Sequence, residues 1–329
     1  MSARLAIVGS GLAALVAHAT LRAGGVPADE IAVLGEDADP AATWRVRAGA
    51  IRQTHMRSES DGHPYPRTFP GLAAREAWRT YDPWPLLLSA ADRYRPTVRT
   101  FLDAVDRVRE ASSWDDGRGP VAHVLLALGH PGLAWPDARD PRYVHAYEPH
   151  EYARKVAVIG AGMAAATEWR NARADGAVVV SVRRREPVLR PLNLPRPFFT
   201  KRGLDEYRSG DRASFLRAFS APSYPEELQL EVDVAPTVPD DAETVVCATG
   251  FLRGYRHDPL LASLADDHGL ETDDQWLVLD DDATVPALTD ATRTLALSGV
   301  HAQWAFPAAD TLAGMRWVAH RFLRRCRTR

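Results

Sequence analysis

A chain of 329 residues, 46% hydrophobic and 25% charged, is long enough for two domains with separate cores and has an ordinary globular composition. Its net charge of −3 excludes a broad basic field for nucleic acid or an anionic membrane, and no apolar stretch approaches the roughly 20 residues of a membrane span. The two cysteines, Cys247 and Cys326, form no Cys-x-x-Cys pair, which argues against a dithiol redox site and a zinc cluster.

Residues 4–8 read as a strand, 11–24 as a helix and 31–34 as a strand. They are joined by the glycine-rich turn Leu5-Ala-Ile-Val-Gly9-Ser-Gly11-Leu-Ala-Ala14, and Ile31-Ala-Val-Leu34 leads to Glu36. The apolar stretch 5–23 imitates a secretory signal, but its turn glycines and the following strand account for it better, so a cytoplasmic location is expected. Residues 40–95 are rich in Pro, Trp, Tyr and Arg without a sustained period and read as a long irregular segment. Over 97–110, Val98, Phe101, Leu102, Val105 and Val108 share one face of a helix. Val121–Leu128 reads as a buried strand ending at Gly129.

A second turn follows, Val156-Ala-Val-Ile-Gly160-Ala-Gly162-Met-Ala-Ala165-Ala166, and its next apolar run, Val178–Val182, leads to Arg183-Arg184-Arg185. Thr244–Gly250 and Thr294–Gly299 read as further buried strands, and 308–325 as a closing helix with arginines at its negative end. The first unit needs strands from both sides of the second to complete its sheet. The expected architecture is therefore α/β, with two Rossmann-like dinucleotide-binding domains. Residues 151–244 are inserted into a discontinuous domain made of 1–150 plus 245–329.

Each turn has the chemistry of a dinucleotide site. Gly9 and Gly160 permit the bend, Gly11 and Gly162 let the backbone approach a pyrophosphate, and Ala13 and Ala14 in one copy and Met163 and Ala164 in the other open a helix whose N–H groups face the phosphates. A carboxylate about twenty residues on accepts hydrogen bonds from a ribose, whereas arginines pair with a 2′-phosphate. Glu36 therefore suits FAD or NAD, and Arg183 and Arg184 suit NADPH.

Further residues resemble the class B flavin-dependent monooxygenases, which include flavin-containing monooxygenases and ornithine or lysine N-hydroxylases. Ala41-Ala-Thr-Trp44-Arg45 is similar to that family's Gly-Gly-x-Trp segment with both glycines replaced. Ala127-Leu-Gly129 and Ala248-Thr249-Gly250 resemble its hinge turns. Val144-His145-Ala-Tyr147 resembles the tail of its fingerprint, whose opening Phe-x-Gly is missing. Arg52-Gln53-Thr-His-Met-Arg57 resembles the segment under the flavin ring. Thr311-Leu312, after the strand ending at Gly299, resembles the start of the last helix, facing the flavin pyrimidine.

The resemblance implies that FAD and NADPH are the cofactors, with no metal. A small metabolite is oxygenated by molecular oxygen through a peroxyflavin, at an amine nitrogen or another soft nucleophile. Gln53, Arg57 and His145 are the candidate catalytic groups. Gln53 would offer an amide to the flavin ring, Arg57 would hold a phosphate or substrate carboxylate, and His145 would move a proton. Aromatic-rich stretches 58–85 and 190–224 are the expected substrate walls. Expected partners are the substrate and oxygen, with a homo-oligomer open and neither nucleic acid nor membrane involved. The alternative is an NADPH-dependent flavin reductase or dehydrogenase serving a protein or quinone acceptor. A non-catalytic nucleotide-binding protein is the third reading.

Overall fold

The computed structural model describes residues 4–56, 71–91, 93–112, 121–137, 140–184, 186–190 and 200–327. In chain order the first part runs β1 (Arg4–Val8), α1 (Leu12–Ala23), β2 (Ile31–Leu34), α2 (Ala42–Ala50), α3 (Leu72–Thr80), α4 (Trp84–Ala90), α5 (Val98–Ala111) and β3 (Val121–Leu126). The middle comprises β4 (Tyr143–His145), β5 (Lys155–Ile159), α6 (Met163–Ala174), β6 (Val178–Val182), β7 (Val188–Leu189), α7 (Lys201–Ser209), α8 (Arg212–Phe219), β8 (Ser223–Tyr224), β9 (Asp233–Ala235) and β10 (Thr244–Cys247). The chain ends with α9 (Pro259–His268), β11 (Thr272–Asp273), β12 (Trp276–Leu277), β13 (Thr294–Leu297) and α10 (Leu312–Arg327).

Among the described residues two parallel sheets organise the molecule, in the orders β13-β3-β1-β2 and β4-β10-β5-β6-β9. Their inner strands are near-continuous apolar runs because both faces of each sheet are buried. Ile7, Leu125 and Leu297 lie in the first core with Leu21, Phe306 and Phe322, so α1 and α10 pack together on that sheet. The opposite side of α1 buries Leu15 and Val16 against Phe101 and Val105 of α5. Val156, Val158, Val179 and Val246 form the second core, with Ala165, Trp169 and Ala172 of α6 closing it.

Hydrogen bonding moves the boundaries anticipated at 150 and 245. Tyr143–His145 and 245–247 fall in the first domain by that division, yet β4 and β10 both join the second sheet, with β10 between β4 and β5. An isolated valine-rich run carries no information about which of two similar sheets it joins. Among the described residues, only β13, pairing with β3, reaches the first sheet from beyond the insertion. The segment 40–95 also differs from the irregular chain expected, since α2, α3 and α4 lie in it. These helices have seven to nine residues, too short for an apolar period to stand out.

α5 shows how this region is held. Thr97 caps the helix by accepting from Thr100 N–H at 3.3 Å, and the buried Glu76 carboxylate accepts from Thr97 N–H at 3.0 Å and Tyr94 OH at 3.0 Å. Burial pushes the Glu76 carboxyl up, but its hydrogen bonds from Thr97, Thr100 and Tyr94 prevail and hold it below its usual value.

Candidate functional site

The two glycine turns have the same geometry. Gly9 has φ +116° and Gly160 φ +130°, a region that disfavours any side chain. A Cβ on Gly9 would overlap Ala127 O, and one on Gly160 would overlap Ala248 O. Ala127 N–H donates to Val8 O at 2.7 Å and Ala248 N–H to Ile159 O at 2.8 Å, so each central strand and its neighbour meet behind the turn. Gly11 and Gly162 then begin α1 and α6 in extended conformation, with no side-chain cap. First-turn N–H groups are thereby left for an anionic ligand. Ala13, Ala14, Ala164 and Ala165 are buried against the sheets, the close helix–strand approach that small residues allow.

Gly129 and Gly299 follow β3 and β13 with φ +77° and +69°. A Cβ on Gly11, Gly129 or Gly299 would meet no atom within 4 Å. The carboxyl edge of the first sheet therefore presents bare backbone, at the place where open α/β sheets take ligands. Glu36 is exposed just past β2. At the same edge Thr311 starts α10, its Oγ1 accepting from Gly314 N–H at 3.0 Å, with Leu312 packed against the α1–α5 core.

The other anticipated residues are distributed unevenly. Trp44 is a packing residue, edge-on to Phe101 at 5.0 Å, and Arg45 pairs with Asp39 and Asp106, both at 3.0 Å. Gln53 donates to His55 O at 2.8 Å and borders a cavity of about 630 Å³. That cavity also meets Tyr94, and Met163 and Thr167 of α6, so it lies between the two nucleotide units. Arg57 and Arg185 lie outside the described residues.

His145 is fully buried in β4, and its Nδ1 accepts from Tyr147 N–H at 3.2 Å. Burial lowers its pKa, so it is neutral at pH 7. It sits 5.2 Å from Trp135 and 5.7 Å from Tyr147 in a stack that continues through Phe251 to His130. Arg47 lies over the Phe251 ring at 4.8 Å. His130 is pushed down to about 3, first by burial and then by Arg253, Arg47 and His301. In this setting His145 is a packed member of the hinge.

The hinge is a paired crossover. Ala134 N–H donates to Gly250 O at 3.0 Å, Leu252 N–H donates to Gly132 O at 2.9 Å, and Thr249 Oγ1 donates to Ala134 O. A second clamp was not foreseen. Arg52 pairs bidentately with Asp175 at 2.7 and 2.6 Å, and Asn171 Nδ2 donates to Ile51 O at 3.0 Å. The chain just before Gln53 is thus tied to the carboxyl end of α6. Contacts between residues more than 100 positions apart leave no local sequence signal.

The chain matches no protein-family model, and no curated protein matches its sequence. Solved structures do share its architecture. The ornithine N-hydroxylase of Kutzneria sp. 744, solved with reduced FAD, NADP+ and L-ornithine, aligns over 100% of this chain and 99% of its own at 14% identity, TM-score 0.74. Ornithine hydroxylase from Pseudomonas aeruginosa aligns over 98% of both chains at 13% identity, TM-score 0.68. Bacillithiol disulfide reductase from Bacillus cereus aligns over 99% of this chain and 100% of its own at 14% identity, TM-score 0.55. At these identities the likeness establishes the fold alone, two Rossmann-like units in one chain.

Proposed function

We propose that this chain is an FAD- and NADPH-dependent monooxygenase that oxygenates a small metabolite at an amine nitrogen or another soft nucleophile. The observation that carries the reading is the repeated turn, alike in backbone and followed by Glu36 in one copy and arginines in the other. The glycine edge and the start of α1 fit a pyrophosphate, and Glu36 fits a free ribose. The second turn and the start of α6 fit NADPH. Bound FAD, reduced by NADPH, supplies the oxygen chemistry.

The chain's own groups bind and orient. The start of α10 at Thr311 and Leu312 places the positive end of a helix dipole at the first sheet's carboxyl edge, where it favours negative charge on a ligand. Gln53 offers an amide to the cavity between the units, whose walls include Tyr94 and Met163. The overall likeness to N-hydroxylases supports an amine-bearing substrate.

The test measures NADPH and oxygen consumption of the purified flavoprotein against a panel of amines and thioethers, with catalase present to count peroxide. Substrate-dependent uptake of one oxygen per NADPH, with a hydroxylated product, is the expected result. NADPH oxidation that needs neither oxygen nor an amine, but accelerates with quinones or a protein acceptor, would establish the flavin-reductase reading instead. That second reading is supported by the disulfide reductase that shares the fold, and by the replaced glycines at Ala41 and Ala42.

A further inference from the structure

The internal repeat allows the arginines after β6 to be placed against the carboxylate after β2. Val8 pairs with Leu34, and Gly9 N–H donates to Leu34 O at 2.7 Å. Ile159 pairs with Val182, and Gly160 N–H donates to Val182 O at 3.1 Å. One residue beyond these anchors, Arg183 stands where the first unit has Gly35. Two residues beyond, Arg184 stands where the first unit has Glu36.

Their surroundings differ accordingly. The Arg183 side chain is only 13% exposed, with its guanidinium over the face of Trp169 at 5.7 Å and its Nη2 2.9 Å from Glu186 Oε2. Its backbone N–H donates to Ala235 O at 3.2 Å. Trp169 itself is fully buried in α6, so moving Arg183 away would uncover an indole face. Arg184 is exposed, as Glu36 is, and makes no ion pair among the described residues.

Resting on the NADPH reading of the second turn, we infer that the two arginines divide the work: Arg184 reads the 2′-phosphate, and Arg183 is a positioning residue that braces the end of β6 against α6. Equal backbone geometry brings an adenosine ribose to the same place relative to each turn, and the residue there is Glu36 or Arg184. Arg184 can form charge-assisted hydrogen bonds to a phosphate without breaking an ion pair among the described residues, whereas Arg183 would first have to leave Trp169 and Glu186. Glu186 pairs with Arg183, so among the described residues Arg184 is the unpaired arginine after β6.

The experiment titrates the full-length protein calorimetrically with adenosine 2′,5′-bisphosphate and with adenosine 5′-monophosphate, which differ only in the 2′-phosphate. The wild-type protein is expected to prefer the bisphosphate. Arg184→Gln should weaken the bisphosphate by about 10- to 100-fold and the monophosphate by no more than about two-fold, the loss expected for hydrogen bonds to a charged group. Arg183→Gln should leave the ratio of the two affinities unchanged while shifting Trp fluorescence and lowering the thermal midpoint. If that variant does not fold, Arg183→Lys keeps the cation and makes the same comparison. Loss of the ratio in an Arg183 variant, or its survival in Arg184→Gln, would overturn the division. Equal wild-type affinities would remove the NADPH reading and the inference together while leaving a nucleotide site. No binding of either ligand would remove the nucleotide site as well.

Discussion

α1 and α6 begin alike and then diverge. Leu12, Ala13 and Ala14 occupy the same places after Gly11 that Met163, Ala164 and Ala165 occupy after Gly162. One turn later α1 has Ala17 and His18 where α6 has Glu168 and Trp169, all of them buried. The shared part is what a pyrophosphate requires: a positive-φ bend, a bare approach and a close-packed first turn. The divergent part packs against neighbours particular to each unit. His18 faces the interior of the first unit, whereas Glu168 accepts from Tyr152 OH at 2.7 Å and meets His150 Nε2 at 3.0 Å. The two units are thus alike where a dinucleotide would constrain them and differ where packing does.

The largest expected effect comes from attacking the shared part. Gly9→Ala and Gly160→Ala each force a side chain into a positive-φ site and against a backbone carbonyl. Strain and overlap together should cost roughly 2–6 kcal/mol. If the turns serve separate ligands, Gly9→Ala lowers the flavin content of the purified protein. Gly160→Ala retains the yellow colour and loses rapid reduction by NADPH. Absorbance spectra and stopped-flow reduction check both, and loss of flavin from Gly160→Ala would break the assignment of one ligand to each turn.

A smaller effect is expected in the divergent part. Glu168→Ala leaves the half-buried Tyr152 hydroxyl and the His150 Nε2 without their acceptor, at a cost of about 2–4 kcal/mol. Glu168→Gln keeps an acceptor and should cost less. Urea unfolding of the two variants measures the difference. Equal destabilisation would mean that the acceptor oxygen matters less than the carboxylate charge.

The legible parts of the molecule were those with a local signature. Both turns, α1, α5, α6 and the strands that flank them were readable because glycine placement and apolar period act within about a dozen residues. The hinge turns at Ala127–Gly129 and Ala248–Gly250 were readable too, but not their pairing with each other. The sheet taken by Thr244–Cys247, the Arg52–Asp175 clamp and the burial of His145 all depend on residues far apart in the chain. At the candidate site, Glu36 and Gln53 lie where a ligand can reach them, whereas Trp44 and Arg45 are engaged in packing and ion pairs. An aromatic or an arginine after a strand reads the same whether it faces a ligand or a neighbour.

The two units should also answer pH with opposite signs. His18 is lowered to about 4, by burial first and then by Arg22, so it is neutral in the folded protein. Between pH 6.5 and 4 the unfolded chain takes up a proton that the folded one refuses. Stability from this site is therefore full above about pH 6.5 and falls below it, by up to about 1.4 kcal/mol per pH unit. His150 is opposed by its own burial, but the hydrogen bonds to Glu168 and the Glu148 carbonyl outweigh that and raise its pKa. Its contribution is full below about pH 6.5 and is lost as pH rises through the raised value. Hydrogen exchange at pH 5.5 and 7.5, corrected for intrinsic rates, should show α1 amides less protected at the lower pH and α6 amides less protected at the higher. Acidification that weakens both helices equally would mean that the network around Glu168 does not hold a proton on His150, and the second unit would then be stabilised by packing alone.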